Sequence, residues 1–179
     1  MRLADPVTSD DHAQGVPGAA VTLVQYGDYQ CPYTRLSRYA VHQLQREFPD
    51  TLRFVFRHFP LEDIHPRARA AAMAAEAAGA QTDFWTLHEH LFEHQDHLEE
   101  LDLQKYATEL GLDTDRFDRD RRSHDIAGRI DRDLDSGERS GVAGTPTFYV
   151  NGIRHDGGYD PDSLRSVIVA SMQRISKTD

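Results

Sequence analysis

The chain has 179 residues, of which 39% are hydrophobic and 28% are charged, values typical of a globular domain. Its formal net charge of -10 argues against binding to nucleic-acid phosphates, because such binding needs a basic surface. Cys31 is the single cysteine, so no intramolecular disulfide can form, which agrees with a reducing compartment. No apolar run has the length of a signal-peptide core or a membrane span, so we expect a cytoplasmic protein without a membrane segment.

The first part of the chain predicts a strand, a helix and a second strand. Residues 1–19 are polar and contain glycine and proline, so we interpret them as an N-terminal arm. Residues 21–26 form a short apolar, β-branched run that favours a buried strand. Pro32 suits the first position of a helix, which makes Cys31 the predicted N-cap. Residues 52–59 are aromatic and β-branched and predict a second strand, which completes a right-handed βαβ unit.

Helical patterns fill residues 63–140, and a strand pattern returns after them. One of these helices is rich in alanine, the strongest helix former. Asn151 and Gly152 stand between two short β-branched runs and predict a tight hairpin, which a last helix follows. The order βαβ, helices, ββα therefore predicts a core of residues 20–62 and 141–179 with a helical insertion, together forming one structural unit.

Three separated motifs resemble those of the DsbA-like family of the thioredoxin fold. Residues 21–33 (VTLVQYGDYQCPY) look like the strand and active-site turn of that family. Residues 56–61 (FRHFPL) look like the end of its second strand, and residues 141–148 (GVAGTPTF) like its proline loop. The chain also resembles the thioredoxin-like domain found alone or behind some NhaA-type sodium/proton antiporters. The resemblance implies an α/β thioredoxin fold with a multi-helix insertion.

The resemblance also implies roles for particular residues. Cys31 would be the nucleophile, at a helix N-terminus whose N–H groups and dipole stabilise a thiolate. Thr145 and Pro146, joined by a cis peptide bond, would bind the backbone of an extended substrate. Pro32 and Tyr33 would contact the same substrate beside the sulfur. Because the thiolate must meet this substrate, we expect the sulfur to be open to solvent.

Two positions depart from the dithiol members of the family. Thr34 replaces the second cysteine, and Gln25 stands where the family commonly carries a glutamate. Glutamine has no titratable proton, so the proton carrier and the sulfur that it serves are missing together. Thr34 lies one helical turn beyond Cys31, where its hydroxyl would donate to the thiolate. The alternative for Thr34 is a tolerated small polar residue without a role in chemistry.

Four further positions carry a structural alternative. Asp28 is close to the sulfur in sequence, where a carboxylate would raise the pKa of the thiol, but after Gly27 we interpret it as a turn residue. His58 would support the thiolate from the end of the second strand, or would be a hydrogen-bonded structural histidine. His90 and His94 match the H-x-x-E-H pattern of some zinc peptidases. Helical angles place His90 opposite the buried face of the helix and His94 on its flank, and no third ligand is evident, so we predict no metal site.

The sequence therefore predicts a monothiol thiol–disulfide oxidoreductase. Cys31 would form a mixed disulfide with a protein or peptide, and an external thiol such as glutathione would resolve it, because a second cysteine is missing. We expect no cofactor beyond such a small thiol. Two alternatives stay open. One is a glutathione-dependent transferase or isomerase that resembles the kappa-class transferases, and the other is a peptide-binding module without redox chemistry.

Overall fold

A computed structural model describes residues 1–175 of the chain. Helices and strands follow in this order: β1 (His12–Gln14), β2 (Val21–Gly27), α1 (Pro32–Glu47), β3 (Leu52–His58), α2 (Ala68–Gly79), α3 (Phe84–Glu93), α4 (Glu100–Glu109), α5 (Thr114–Asp120), α6 (His124–Ser140), β4 (Thr147–Val150), β5 (Ile153–His155) and α7 (Pro161–Ile175). Apart from β1, this is the predicted order of elements. Within the described residues, no helix combines the length and the apolarity that a membrane crossing needs.

The described residues form two compact units. One contains Met1–Gly27, Leu36–Arg57 and the residues from Ser136 onward, and the other contains Asp28–Arg35 and His58–Asp135. The division of the sequence into core and insertion at residues 62 and 140 stays a prediction. Residues 176–179, the end of the predicted core, lie outside the described part of the chain.

The first unit is built on a five-stranded sheet with the order β1-β3-β2-β4-β5. Strands β2 and β3 are buried over nearly their whole length, as their apolar, β-branched sequences predict. Strands β4 and β5 form the predicted hairpin, in which Asn151 and Gly152 have φ values of 47° and 75°. Both residues tolerate the left-handed conformation that such a turn needs. Helix α7 packs against β2 and β4.

The interpretation of residues 1–19 as an arm is wrong for the segment around β1. This strand pairs antiparallel with β3, with His12 opposite Phe56. Next to it, the buried Arg57 donates to both carboxylate oxygens of Asp11, at 2.7 and 3.0 Å. A three-residue strand is too short to show a periodic pattern, and its anchor lies more than forty residues further along the chain. The local sequence therefore gave no sign of it.

The second unit consists mainly of helices. Helix α2 contacts α3, α4 and α5, and α4 also contacts α5. Seven alanines of α2 are buried: Ala68, Ala71, Ala72, Ala74, Ala75, Ala77 and Ala78. Small side chains let neighbouring helices approach closely, so the alanine-rich composition that predicts this helix also explains its central position.

Candidate active site

Cys31 lies directly before α1, which begins at Pro32, so the predicted place of the cysteine at a helix N-terminus is confirmed. Its carbonyl oxygen accepts the Arg35 N–H at 3.2 Å, the bond that opens the helix. The expectation of a sulfur open to solvent is wrong, because Cys31 is only 3% exposed. Two buried polar residues hold the backbone of this turn from either side.

Asp28 is the first of these two residues. Its Oδ1 accepts the backbone N–H groups of Gln30 at 2.7 Å and Cys31 at 3.2 Å. This is the geometry of an Asx turn, so the interpretation of Asp28 as a turn residue is confirmed. Its Oδ2 accepts the Leu61 N–H at 2.9 Å and the Nδ1–H of His65 at 2.8 Å. The carboxylate is fully buried and ties the cysteine turn to the segment after β3.

Gln95, after α3, is the second residue that holds the cysteine turn. Its amide nitrogen donates to the carbonyl oxygens of Tyr29 at 2.7 Å and Cys31 at 3.0 Å. Asp28 thus binds the N–H of Cys31 and Gln95 binds its carbonyl oxygen. Sequence reasoning missed both Gln95 and His65, because neither stands in a motif and both lie more than thirty residues from the turn.

Tyr29 fills the space between these anchors. Its hydroxyl hydrogen-bonds Nδ1 of His88 at 2.9 Å, and its ring packs on Phe92 with centroids 4.8 Å apart. Burial raises the pKa of Tyr29, and the carboxylates of Glu76 and Glu89 raise it further. The tyrosine is therefore a neutral structural support of the turn.

Thr34 and Gln25 are both buried, in different surroundings. Oγ1 of Thr34 accepts the backbone N–H of Asp28 at 3.4 Å. The amide nitrogen of Gln25 donates to Oγ of Ser37 at 2.7 Å. Gln25 is thus paired with a hydroxyl on α1, an uncharged contact that suits an uncharged side chain.

His58 has the contacts of a structural histidine. Its Nε2 donates to the Glu76 carboxylate at 2.8 Å, and its ring lies 5.9 Å from the Tyr29 ring. Its backbone N–H donates to Oδ2 of Asp133 at 2.9 Å. Burial raises the pKa of Asp133, and the nearby histidine and Arg129 act in the opposite direction. These contacts place His58 beside Tyr29 in a buried polar cluster.

The outer face of α1 is apolar and exposed. Pro32 is exposed, and Tyr33, Leu36 and Tyr39 are each more than half exposed. These three residues follow at i, i+3 and i+6, so they share one face of the helix that starts at the cysteine. The apolar periodicity of the helix includes Leu36, yet this residue faces solvent.

In the sheet-containing unit, the Thr145–Pro146 peptide bond is cis. Both residues are half-buried, in the loop that leads into β4. Oγ1 of Thr147 donates to the Gly144 carbonyl oxygen at 2.7 Å, a contact that closes the loop on itself. The loop therefore has a fixed shape of its own.

His90, in α3, and His94, directly after this helix, pack against each other. Their rings stack with centroids 4.2 Å apart, as residues four positions apart in a helix can. Nδ1 of His94 donates to the His90 carbonyl oxygen at 2.9 Å, and Nε2 of His90 lies 3.8 Å from Glu109. This pair forms an aromatic and polar contact between α3 and α4.

A cysteine before the helix that follows a core strand, with a cis-proline loop before β4, defines a DsbA-like domain of the thioredoxin fold. The chain belongs to the Thioredoxin family, whose model matches residues 7–170. Its relatives include the Na(+)/H(+) antiporter NhaA 3 of Salinispora tropica, which is 45% identical over 167 residues. That match covers 93% of this chain and 26% of the antiporter, so the chain spans about a quarter of the length of the relative.

Solved structures agree with this fold. A thioredoxin-like oxidoreductase from Silicibacter pomeroyi is 28% identical, with a TM-score of 0.82, covering 95% of this chain and 94% of that one. The α-DsbA1 protein of Wolbachia pipientis is 22% identical, with a TM-score of 0.82, covering 99% of this chain and 98% of that one. The predicted α/β thioredoxin fold of the DsbA-like type is confirmed.

Proposed function

We propose that the chain is a thiol–disulfide oxidoreductase that works with one sulfur, that of Cys31. The observation that carries this proposal is the built turn: the N–H of Cys31 is bound by a buried carboxylate and its carbonyl oxygen by a buried amide, directly before α1. A turn held from both sides fixes the sulfur at the positive end of the helix dipole, which stabilises a thiolate. The similar Silicibacter protein is named an oxidoreductase, which supports the same chemistry.

The reaction with a disulfide balances without a cofactor. The thiolate of Cys31 attacks one sulfur of the substrate disulfide, so that bond breaks while a mixed disulfide forms. The leaving thiolate takes up a proton equivalent to the one that the cysteine gave to solvent. An external thiolate, of which glutathione is the proposed example, then attacks the substrate sulfur of the mixed disulfide. The bond to Cys31 breaks, the Cys31 thiolate leaves, and the external thiol takes its place in a disulfide with the substrate. The external thiol is necessary because Thr34 cannot supply a second sulfur.

The proposed substrates are protein or peptide disulfides and thiols. Pro32 and Tyr33 are exposed next to the sulfur and offer an apolar contact for such a chain. Thr145 and Pro146 are proposed to bind the substrate backbone, as the family resemblance implies. The hydroxyl hydrogen of Thr34 is proposed to stabilise the thiolate. The cytoplasm, where small thiols keep cysteines reduced, is the proposed compartment.

A second candidate function gains from one observation, the burial of Cys31. A free cysteine that is 3% exposed resembles the small buried hydrophobes that most structural cysteines are. In that case the domain would bind extended peptides without exchanging disulfides. Reactivity of the sulfur therefore separates the two candidates.

The experiment is intact-mass spectrometry after incubation with oxidised glutathione. The wild-type chain should gain one glutathione, peptide mapping should place it on Cys31, and reduced glutathione should remove it. Cys31→Ser should gain nothing. A wild-type chain that gains no glutathione under native conditions, but gains one in denaturant, would refute the proposal in favour of the binding module.

A further inference from the structure

A buried carboxylate and a partly exposed imidazole lie behind the cysteine turn. Asp28 accepts four N–H groups, and its side chain is 0% exposed. The His65 ring, which donates the fourth of these bonds, is 16% exposed. A buried charge is costly unless an opposite charge balances it. His65 is therefore placed to carry the balancing charge and to exchange its proton with solvent.

We infer that His65 is a positioning residue that sets the reactivity of Cys31 through Asp28, an inference that rests on the proposed function. Protonated His65 neutralises the carboxylate that binds the Cys31 N–H, so the thiolate forms next to a neutral pair. Neutral His65 leaves a net negative charge there, which disfavours a second negative charge on the sulfur. The charge on His65 thus sets how readily the sulfur ionises.

Other charged groups near this pair have partners of their own. Glu62, after β3, contacts Arg69 of α2. Arg67, directly before α2, pairs with Glu99, directly before α4. Arg67 also donates its backbone N–H to the Gln30 side chain at 2.7 Å. Asp63 is exposed. Tyr29, on the other side of the turn, stays neutral because its pKa is raised by burial. Among the described contacts, Asp28 is the charged group that hydrogen-bonds His65.

Charge changes of opposite sign test this inference. The readout is the rate at which iodoacetamide alkylates Cys31 between pH 5 and pH 9. His65→Asn keeps a donor but removes the charge, whereas His65→Lys keeps a positive charge. Asp28→Asn removes the negative charge and keeps an acceptor for the turn. His155→Asn is the matched control, because this half-buried histidine bonds the Gly158 carbonyl oxygen in the other unit.

A unit charge two hydrogen bonds away changes a thiolate population by about two- to thirtyfold, depending on the local dielectric. We expect His65→Asn to slow alkylation at pH 6 by about fivefold and His65→Lys to stay within about twofold of wild type. Asp28→Asn should speed alkylation, because it removes the negative charge next to the sulfur. The control should match wild type throughout the pH range.

Two results would overturn the inference. One is an equal loss in His65→Asn and His65→Lys, which would mean that the shape of the ring matters and its charge does not. The other is a loss in both His65→Asn and Asp28→Asn, which would mean that the pair only maintains the turn. Circular dichroism identifies a variant that has unfolded, and the two His65 variants test the charge even if Asp28→Asn does not fold. Failure of the proposed function is seen separately, as the absence of a glutathione adduct on the wild-type chain.

Discussion

Gln95 donates two hydrogen bonds to the cysteine turn, and we call this pair of bonds the clamp. The clamp gives the sharpest structural prediction. Gln95→Met keeps the size of the side chain but removes the amide that donates to the carbonyl oxygens of Tyr29 and Cys31. The Tyr29 carbonyl oxygen loses this donor, whereas the Cys31 carbonyl oxygen keeps the Arg35 N–H, so the substitution should cost about 1–3 kcal/mol. For a chain of this length, that corresponds to a fall in Tm of roughly 2–12 °C. Freed from the clamp, the sulfur should also be alkylated at least about threefold faster.

Urea unfolding gives the change in stability, and iodoacetamide labelling gives the change in access to the sulfur. Gln81→Met is the matched control, because Gln81 also donates to a backbone carbonyl, that of Asp113, at a solvent-exposed position. We expect this control to lose less than about 1 kcal/mol. If Gln95→Met were as stable as Gln81→Met and its cysteine no more reactive than that of wild type, the reasoning about the clamped turn would be refuted.

Three further predictions concern stability. Arg57→Met should cost about 3–5 kcal/mol in urea unfolding because it removes the guanidinium that balances the buried Asp11 carboxylate, and adding Asp11→Asn should recover part of the loss; no recovery would contradict this. Burial lowers the pKa of His90, and the nearby His94 lowers it further. The contribution of neutral His90 to folding stability is therefore present above about pH 6.5 and is lost as pH falls through the lowered pKa. His90→Asn should therefore flatten Tm between pH 7 and pH 5, and an unchanged slope would count against it. The hydrogen bond from Arg121 lowers the pKa of Glu100 from 4.5 to about 2. The contribution of ionised Glu100 to folding stability is therefore present above pH 4.5 and is lost as the pH falls towards 2. Glu100→Gln should reduce the acid-induced loss over that interval, and a steeper loss would contradict the pairing.

Local patterns predicted most of the elements. The β-branched run of β2, the Pro32 start of α1 and the Asn151–Gly152 turn are each encoded within a few neighbouring residues. The place of Cys31 before the helix follows from the same local signals. The short strand β1 escaped prediction because its stability comes from Arg57 and from pairing with β3, both distant in sequence.

The surroundings of the cysteine were predicted only in part. Asp28 follows a glycine and precedes the cysteine by three residues, a local signal that correctly indicated a turn. His65 and Gln95 reach the turn from 37 and 64 residues away, respectively, and no spacing rule connects them to it. The burial of Cys31 is a property of the folded surroundings and has no signature in the local motif, which is why the expectation of an open sulfur failed.

The central claim is that one sulfur carries out disulfide exchange, and turnover tests it most directly. The measurement is the release of glutathione from a peptide–glutathione mixed disulfide, with reduced glutathione as the second substrate, for wild type and Cys31→Ser. The account predicts a wild-type rate well above the uncatalysed reaction and a loss of at least about 100-fold in the variant. A variant as active as wild type would contradict the account and favour a transferase that activates the sulfur of glutathione instead.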